Sequence, residues 1–245
     1  DWQSLMFLYN AAIKEVRTKL DIMNDEFQYI HQYNPIEYIK SRIKTPNSIA
    51  KKLSRHGLEN TMENMVEHIN DIAGVRIVCS FTSDIYRLAE MIGKQKEFTI
   101  LYIKDYMKHP KESGYRSYHM LVTTPVFLSD SIIDTKVEIQ IRTVAQDFWA
   151  TLEHKMHYKF EGDGPDYITK ELRECARYVA ELDANNQPIV AANAHLEGYG
   201  APAYSDNCKN GINPTTATDT AATIINPLEG GLEETEDTTE KTTEK

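Results

Sequence analysis

Apolar residues recur at steps of three and four from Leu5 to Ile30: Leu5, Leu8, Tyr9, Ala12, Ile13, Val16, Leu20, Met23, Phe27 and Ile30. That step predicts an amphipathic helix over 4–30, ended by Asn34-Pro35. A second helix opens at Asn47 or Ser48, after Thr45-Pro46, and stops near Gly57; residues 61–70 fit a third, short one. The period then changes. The run 74–80 (GVRIVCS) is rich in β-branched residues and predicts a buried strand. Asp84 is placed to cap a helix ending at Gly93. Residues 98–103, 117–124 and 135–142 predict three further strands, and 104–116 a polar, mobile loop. Helices follow over 143–160, with a core stripe at Ala145, Trp149, Leu152 and Met156, and over 166–186, where Asn185-Asn186-Gln187-Pro188 predicts a stop. Helices before, between and after the strands predict an α+β fold with a mixed or mostly antiparallel sheet flanked by helices.

The periodicity ends near residue 187. Of the formal charge of −10, residues 188–245 carry −7, and they are built largely of Gly, Pro, Thr and Asn. Such a segment buries too little apolar surface to offset its ordering entropy, so an acidic, disordered tail is expected at 188–245 and one domain at 1–187. With 41% hydrophobic and 26% charged residues the chain is globular in composition. No apolar run approaches the roughly 20 residues of a membrane span, and no basic-then-apolar signal opens the chain. Cys79, Cys175 and Cys208 are too few and too scattered for a disulfide scaffold or zinc knuckle. A reducing, cytoplasmic setting is expected.

In the strand 137–142, alternation sends Val137, Ile139 and Ile141 one way and Glu138, Gln140 and Arg142 the other. A solvated outer face accounts for Glu138 as well as a cleft does; a strand carboxylate lining a cleft can bind a metal or take a proton. Asp71, at a strand entrance, is either a turn residue or the second carboxylate of a Mg²⁺ site. Basic residues concentrate in a nearly neutral body: Arg42, Lys44, Lys51, Lys52, Arg55, Arg76, Lys108, Lys111 and Arg116. Together with the helix start at Ser48 they suggest an anion site, against the alternative of a solvated face. In the loop 111–119, Gly114 permits close approach, Tyr115 can offer a ring for a base to stack on, and His119 follows on the strand. Glu153-His154-x-x-His157 is neither His-Glu-x-x-His nor its inverse, so no zinc site is predicted. No P-loop and no Gly-x-Gly-x-x-Gly occurs; a nucleotide would need another architecture.

Four motifs together, 71–77 (DIAGVRI), 112–119 (ESGYRSYH), 137–143 (VEIQIRT) and 148–154 (FWATLEH), resemble the RelA/SpoT synthetase domain, and the short length is similar to the small alarmone synthetases. The resemblance covers about 4–187. It implies a nucleotidyltransferase-like synthetase fold and a GTP pyrophosphokinase that moves pyrophosphate from ATP to the 3′-hydroxyl of GTP or GDP. It implies that Asp71 and Glu138 hold Mg²⁺, with Glu138 also the general base. It further implies that Arg42 and Arg76 sandwich the adenine, with Lys44, Ser48 and Lys52 at the ATP phosphates. Tyr115 would stack on guanine, and Lys111, His119 and Glu153 would line the acceptor site. The His-Asp motif of the companion hydrolase is missing, so synthesis without degradation is implied.

Two rival readings stand beside this one. One is a synthetase acting on an adenine nucleotide or tRNA; the other is a non-catalytic nucleotide- or RNA-binding regulator. A regulatory alarmone and single-stranded RNA are further partners within the family's range; a membrane is not. The family's alarmone-activated members carry Asn before Phe-Trp-Ala, where this chain has Asp147, and Thr-Gly where it has Lys40-Ser41. An added carboxylate repels a polyphosphate, so activation by pppGpp is expected to be altered or missing. The apolar width of the first helix and the stripe Ile168, Leu172, Cys175, Val179 and Leu182 predict a symmetric homo-oligomer, a tetramer in preference to a dimer.

Overall fold

A computed structural model of the chain describes residues 1–30, 33–159, 165–196 and 223–224. Helix α1 (Trp2–Tyr29) leads into β1 (Ile36–Ile43), α2 (Pro46–Arg55), α3 (Met62–His68), β2 (Ala73–Cys79) and α4 (Thr82–Gly93). Then come β3 (Thr99–Asp105), β4 (Tyr118–Phe127), β5 (Ile132–Thr143), α5 (Val144–Lys159), α6 (Asp166–Leu196) and the two-residue β6 (Thr223–Ile224). The sheet order is β1-β2-β5-β4-β3-β6. β2 and β5 run parallel, as do β3 and β6, and the other neighbours are antiparallel. This is the mixed sheet of the expected α+β fold.

Strand alternation separates stability from chemistry. One face presents Val75, Ile77, Val137, Ile139 and Ile141, all buried, to α1, which covers β2, β4 and β5 with Tyr9, Ala12, Val16, Leu20, Met23 and Phe27. Burying each large side chain fully contributes about 1.5–3 kcal/mol, so this face carries most of the apolar stabilisation. The opposite face carries Glu138, Gln140 and Arg142 on β5, with Arg76 and His119 in register with Gln140.

Several elements differ from expectation. β1 was not predicted at all. Its isoleucines Ile36, Ile39 and Ile43 step by three and four, and only Ile36 is buried, because it is an edge strand paired on one side with β2. Asp84 does not cap α4: Phe81 occupies the cap, and Asp84 is buried in the first turn, accepting from the Tyr33 hydroxyl at 2.5 Å. The buried stripe of α5 is not wholly apolar. Gln146 and Asp147 are buried beside Trp149 and Ala150, while Ala145, Leu152 and Met156 are half-buried. Thr143 and Gln146 form a reciprocal capping box, each accepting the other's backbone N–H (3.1 and 3.2 Å). Asp183 of α6 accepts from both side chains, at 2.9 and 2.7 Å. α6 continues through Pro188 to Leu196 instead of stopping near 186. The lost N–H bond costs about 3 kcal/mol, which a helix of this length carries without ending. Cys79 is a buried free thiol and Cys175 is exposed. Cys208 and most of the expected acidic tail lie outside the described residues.

The segment between β3 and β4, expected to be loose and polar, is anchored. Asp105 Oδ1 accepts the N–H groups of Met107 and Lys108 at 3.0 and 3.1 Å, and Arg116 Nη1 donates to the Met107 carbonyl at 2.8 Å. Tyr106, Met107 and Tyr115 are buried. The loop's far end rests on α6: Gly114 has φ +91°, and a Cβ at that position would lie 2.5 Å from Ala176 Cβ. Two costs therefore fall on Gly114→Ala, about 1–2 kcal/mol for the left-handed backbone and about 1–3 kcal/mol for the clash. Urea unfolding should show a loss of roughly 2–4 kcal/mol, and combining it with Ala176→Gly should return the steric part. A loss under about 0.5 kcal/mol would show that the loop does not rest on α6.

Candidate active site

Four strands and one loop converge on the polar face. Across β1, β2, β5 and β4 the register aligns Arg42, Gly74, Glu138 and Leu121 in one row, and Lys40, Arg76, Gln140 and His119 in the next. Gly74 leaves room there: its nearest side-chain neighbour is Arg42. Asp71 stands just before β2. Its oxygens accept from Lys44 Nζ at 2.8 Å and Lys52 Nζ at 3.2 Å, and Lys44 N–H fixes the approach by donating to the Ile72 carbonyl at 2.8 Å. Burial alone would raise the Asp71 pKa; Lys52 and Lys44 outweigh it and hold the carboxyl below its ordinary range, against a repulsion from Glu138. The two carboxylates thus sense one another across the cleft.

Glu138 is buried. Its Oε1 lies 3.3 Å from His119 Nδ1 and its Oε2 accepts from Gln140 Nε2 at 2.8 Å. Burial pushes its pKa up, but His119 and the two hydrogen bonds prevail and bring it down to about 2. His119 Nε2 in turn lies 2.9 Å from the Tyr115 hydroxyl. Tyr106 packs edge-on against both rings, with centroids 5.9 Å from Tyr115 and 5.2 Å from His119. Lys111 Nζ sits 5.2 Å from the Tyr106 and Tyr115 centroids, and the Arg142 guanidinium 4.9 Å from that of Tyr115.

This corrects the expectation of a ring projecting from a loop. Tyr115 is buried, because two cations and Trp149, Ala150 and Ala176 enclose it. Asp147 is also differently placed from expectation. It is buried and accepts from Arg76 Nη1 and the Tyr38 hydroxyl, both at 2.9 Å, with Arg142 Nη1 at 3.5 Å. A carboxylate paired with two guanidiniums presents no free charge to a polyphosphate.

The remaining sequence-derived residues fall into two groups. Arg42 lies on the same face as Arg76 and acts on it electrostatically. Lys52 and Lys111 join the cluster. Ser48 is one turn away: its N–H and hydroxyl are engaged by Thr45 Oγ1 at 3.3 and 2.8 Å, so it serves the α2 cap. Glu153 is half-buried on α5, one turn beyond Trp149. Sequence reasoning missed Tyr38 and Tyr106. The alternation Tyr38/Lys40/Arg42 would have exposed the first, had β1 been recognised; nothing in the pattern marks the second.

Chemically, the arrangement offers a buried carboxylate held ionised, a second carboxylate among lysines, and arginines on the flank. That inventory suits the alignment and charge neutralisation of phosphoryl transfer. Among the described residues no group of three or more His, Cys, Asp or Glu is placed to hold a metal. Two hard carboxylates suffice for Mg²⁺ when substrate phosphates and water complete its shell, so the donor set fits that ion.

Comparison with known proteins gives the family and the fold. Residues 41–163 match the family described as a region found in RelA / SpoT proteins. Over 183 residues the chain is 46% identical to GTP pyrophosphokinase YwaC of Bacillus subtilis (strain 168), covering 75% of this chain and 87% of that protein. Its fold is similar to the crystal structure of small alarmone synthetase 2 from Bacillus subtilis (TM-score 0.72, 43% identity, 78% of this chain and 99% of that one). It is also similar to small alarmone synthetase 1 from the same organism, bound to its product pppGpp (TM-score 0.73, 35% identity, 78% and 97%). The same protein bound to AMPCPP matches with a TM-score of 0.69 at 33% identity, covering 79% and 98%.

The depressed Glu138 pKa has a consequence for stability. A carboxyl at about 2 in the folded chain, against 4.5 when unperturbed, contributes stability that is complete above pH 4.5 and is lost as pH falls through 4.5 toward 2. Asp71 is shifted in the same direction. Between pH 5 and 2.5 the wild type should lose up to about 3 kcal/mol more than Glu138→Gln, measured by denaturant titration at each pH. Parallel losses in the two proteins would remove Glu138 as a source of acid lability.

Proposed function

We infer that this chain, which belongs to the RelA/SpoT family, is a GTP pyrophosphokinase that transfers pyrophosphate from ATP to the 3′-hydroxyl of GTP or GDP, giving AMP and pppGpp or ppGpp. The observation that carries the reading is Glu138: a buried carboxylate, held ionised, on the sheet face that also carries Arg42 and Arg76, meeting His119 of β4 and, through it, Tyr115 of the loop before β4. The acceptor's 3′-oxygen attacks the β-phosphorus of ATP. The bond from that phosphorus to the α,β-bridging oxygen breaks, AMP leaves, and the hydroxyl proton passes to Glu138. A hydroxyl is a poor nucleophile at neutral pH, and a positioned base contributes about 10²–10⁴-fold.

The flanks divide the two substrates. Arg42 and Arg76 take the adenine, with Lys44 and Lys52 at the phosphates and Ser48 on the α2 turn beside them. Lys111, Tyr115, His119 and Glu153 take the acceptor, and guanine stacks on Tyr115 once Lys111 moves off the ring. Mg²⁺ held by Asp71 and Glu138 would supply neutralisation of the polyphosphate charge. Exposed apolar residues on α1 and α6 (Phe7, Ile22, Tyr178 and Leu182) fit a symmetric homo-oligomer, a tetramer before a dimer. Among the described residues no helix is long and apolar enough to cross a membrane; we assign the protein to the cytoplasm.

The test is direct. The protein is incubated with ATP, Mg²⁺ and, separately, GTP, GDP, an adenine nucleotide or tRNA, and the nucleotides are resolved by chromatography. AMP and a 3′-pyrophosphorylated guanine nucleotide should appear together; transfer only to adenine or tRNA would replace the proposed acceptor. Glu138→Gln should lower turnover by about 10²-fold or more while both nucleotides still bind by calorimetry. Turnover near that of the wild type would take Glu138 out of the mechanism.

A further inference from the structure

Five side chains of this site form a closed ring of hydrogen bonds. Arg142 Nη2 donates to the Tyr115 hydroxyl; Tyr115 meets His119 Nε2 at 2.9 Å; His119 Nδ1 meets Glu138 Oε1 at 3.3 Å. On the other side Arg142 Nη2 donates to Gln140 Oε1 at 2.9 Å, and Gln140 Nε2 donates to Glu138 Oε2 at 2.8 Å. The ring has one member that can only donate, Arg142, and one that, ionised, can only accept, Glu138. Those two ends fix every proton between them. Tyr115 accepts from Arg142, so its own O–H points to His119. His119 Nε2 must then accept, which leaves the proton on Nδ1, directed at Glu138. Gln140 cannot flip without turning its NH₂ toward the guanidinium. Both arms run from Arg142 to Glu138, and both oxygens of the carboxylate are oriented by them.

Arg142 is itself held. Its side chain is almost wholly buried, Nε lies 3.3 Å from Ser117 Oγ, and Nη1 reaches Asp147 at 3.5 Å. Asp147 also receives Arg76 and Tyr38. We propose that Arg142 is a positioning residue for the pyrophosphate transfer: it sets the direction of both hydrogen-bonded arms that orient the base Glu138, and through Asp147 it ties that base and Tyr115 to Arg76. Its effect reaches the reaction through Glu138 and Tyr115.

The proposal rests on Glu138 being the base, so its test includes a readout independent of turnover. Nitrogen-15 NMR of the full chain at pH 8.5, with His119 identified by its disappearance in His119→Gln, reports which ring nitrogen carries the proton. In the wild type the proton should be on Nδ1 alone. A wild-type His119 protonated on Nε2 overturns the proposal with no variant needed. In Arg142→Met, which keeps the aliphatic stem and removes all donors, ionised Glu138 still holds the Nδ1 proton of His119, but Tyr115 and Gln140 lose the donor that orients them; the side-chain amide resonances of Gln140 should shift, and the turnover number should fall by about 10²-fold, with the KM for ATP changed less than about threefold. Arg142→Lys, which keeps one charged donor, should recover at least about tenfold of that loss. Unchanged Gln140 side-chain amide resonances in Arg142→Met, or turnover within about threefold of wild type, overturns the proposal. If Arg142→Met does not fold, Arg142→Lys and the wild-type tautomer still decide it. A wild type that shows the Nδ1 proton yet makes no alarmone would refute the function and leave the wiring standing.

Discussion

Ionised groups taken out of water must find their partners inside the protein, and the polar face of this sheet is built around that requirement. Asp71 is matched by Lys44 and Lys52, Asp147 by Arg76 and Arg142, and Glu138 by His119 and Gln140. Removing one partner of such a set strands the other, at a cost of about 3–5 kcal/mol. Alone, such a set adds little net stability, because the attraction mostly offsets desolvation. What it provides is position. Groups already held where charge develops need no reorganisation during a reaction, which is where the catalytic advantage of a buried polar site lies.

The sheet makes this affordable by dividing labour between its faces. The apolar side of β2 and β5 lies under α1, where Leu20, Val16 and Phe27 are fully buried or nearly so. The parallel β2–β5 pair at the centre then places Gly74 beside Glu138 and Arg76 beside Gln140, and the antiparallel edge strand β1 adds Tyr38, Lys40 and Arg42 to the same face. A one-residue slip of β1 would turn all three away. α5 closes the end of the face, and its entry angle is set by the Thr143/Gln146 capping box with Asp183 of α6 on top. The helix behind the site and the residues in it are thus one construction.

What was legible in the chain follows from which forces leave a pattern. Glu138, Gln140 and Arg142 could be assigned to one face because β5 alternates cleanly, and β2 is conspicuous because its residues are β-branched. β1 escaped because an edge strand buries little, so its apolar residues carry no period of two. Gln146 and Asp147 escaped because hydropathy sees polar residues as exposed, whereas these are buried against partners that include Asp183, 37 residues on, and Arg76 and Tyr38, 71 and 109 residues back. Tyr115 was assigned to the right place with the wrong surroundings: the loop sequence shows a ring beside a glycine, while the cations that enclose it include Arg142, 27 residues downstream. Pairing between distant segments leaves no local trace, and an active site consists mostly of such pairing.

Asp147 illustrates the difference between a charge counted in a sequence and a charge in its setting. As a free carboxylate it would repel a polyphosphate directly. Held between Arg76 and Arg142, its charge is cancelled at short range, so its influence on any anionic ligand passes through the arginines. An Asn at this position would leave two guanidiniums facing each other across a neutral amide. One of them would then be freer to turn toward an incoming phosphate. The substitution therefore changes how available the arginines are, and it does so for Arg76 of β2 and Arg142 of β5 at once. The effect of residue 147 on an anionic ligand is therefore carried by the two arginines together, rather than by a simple repulsion from one carboxylate.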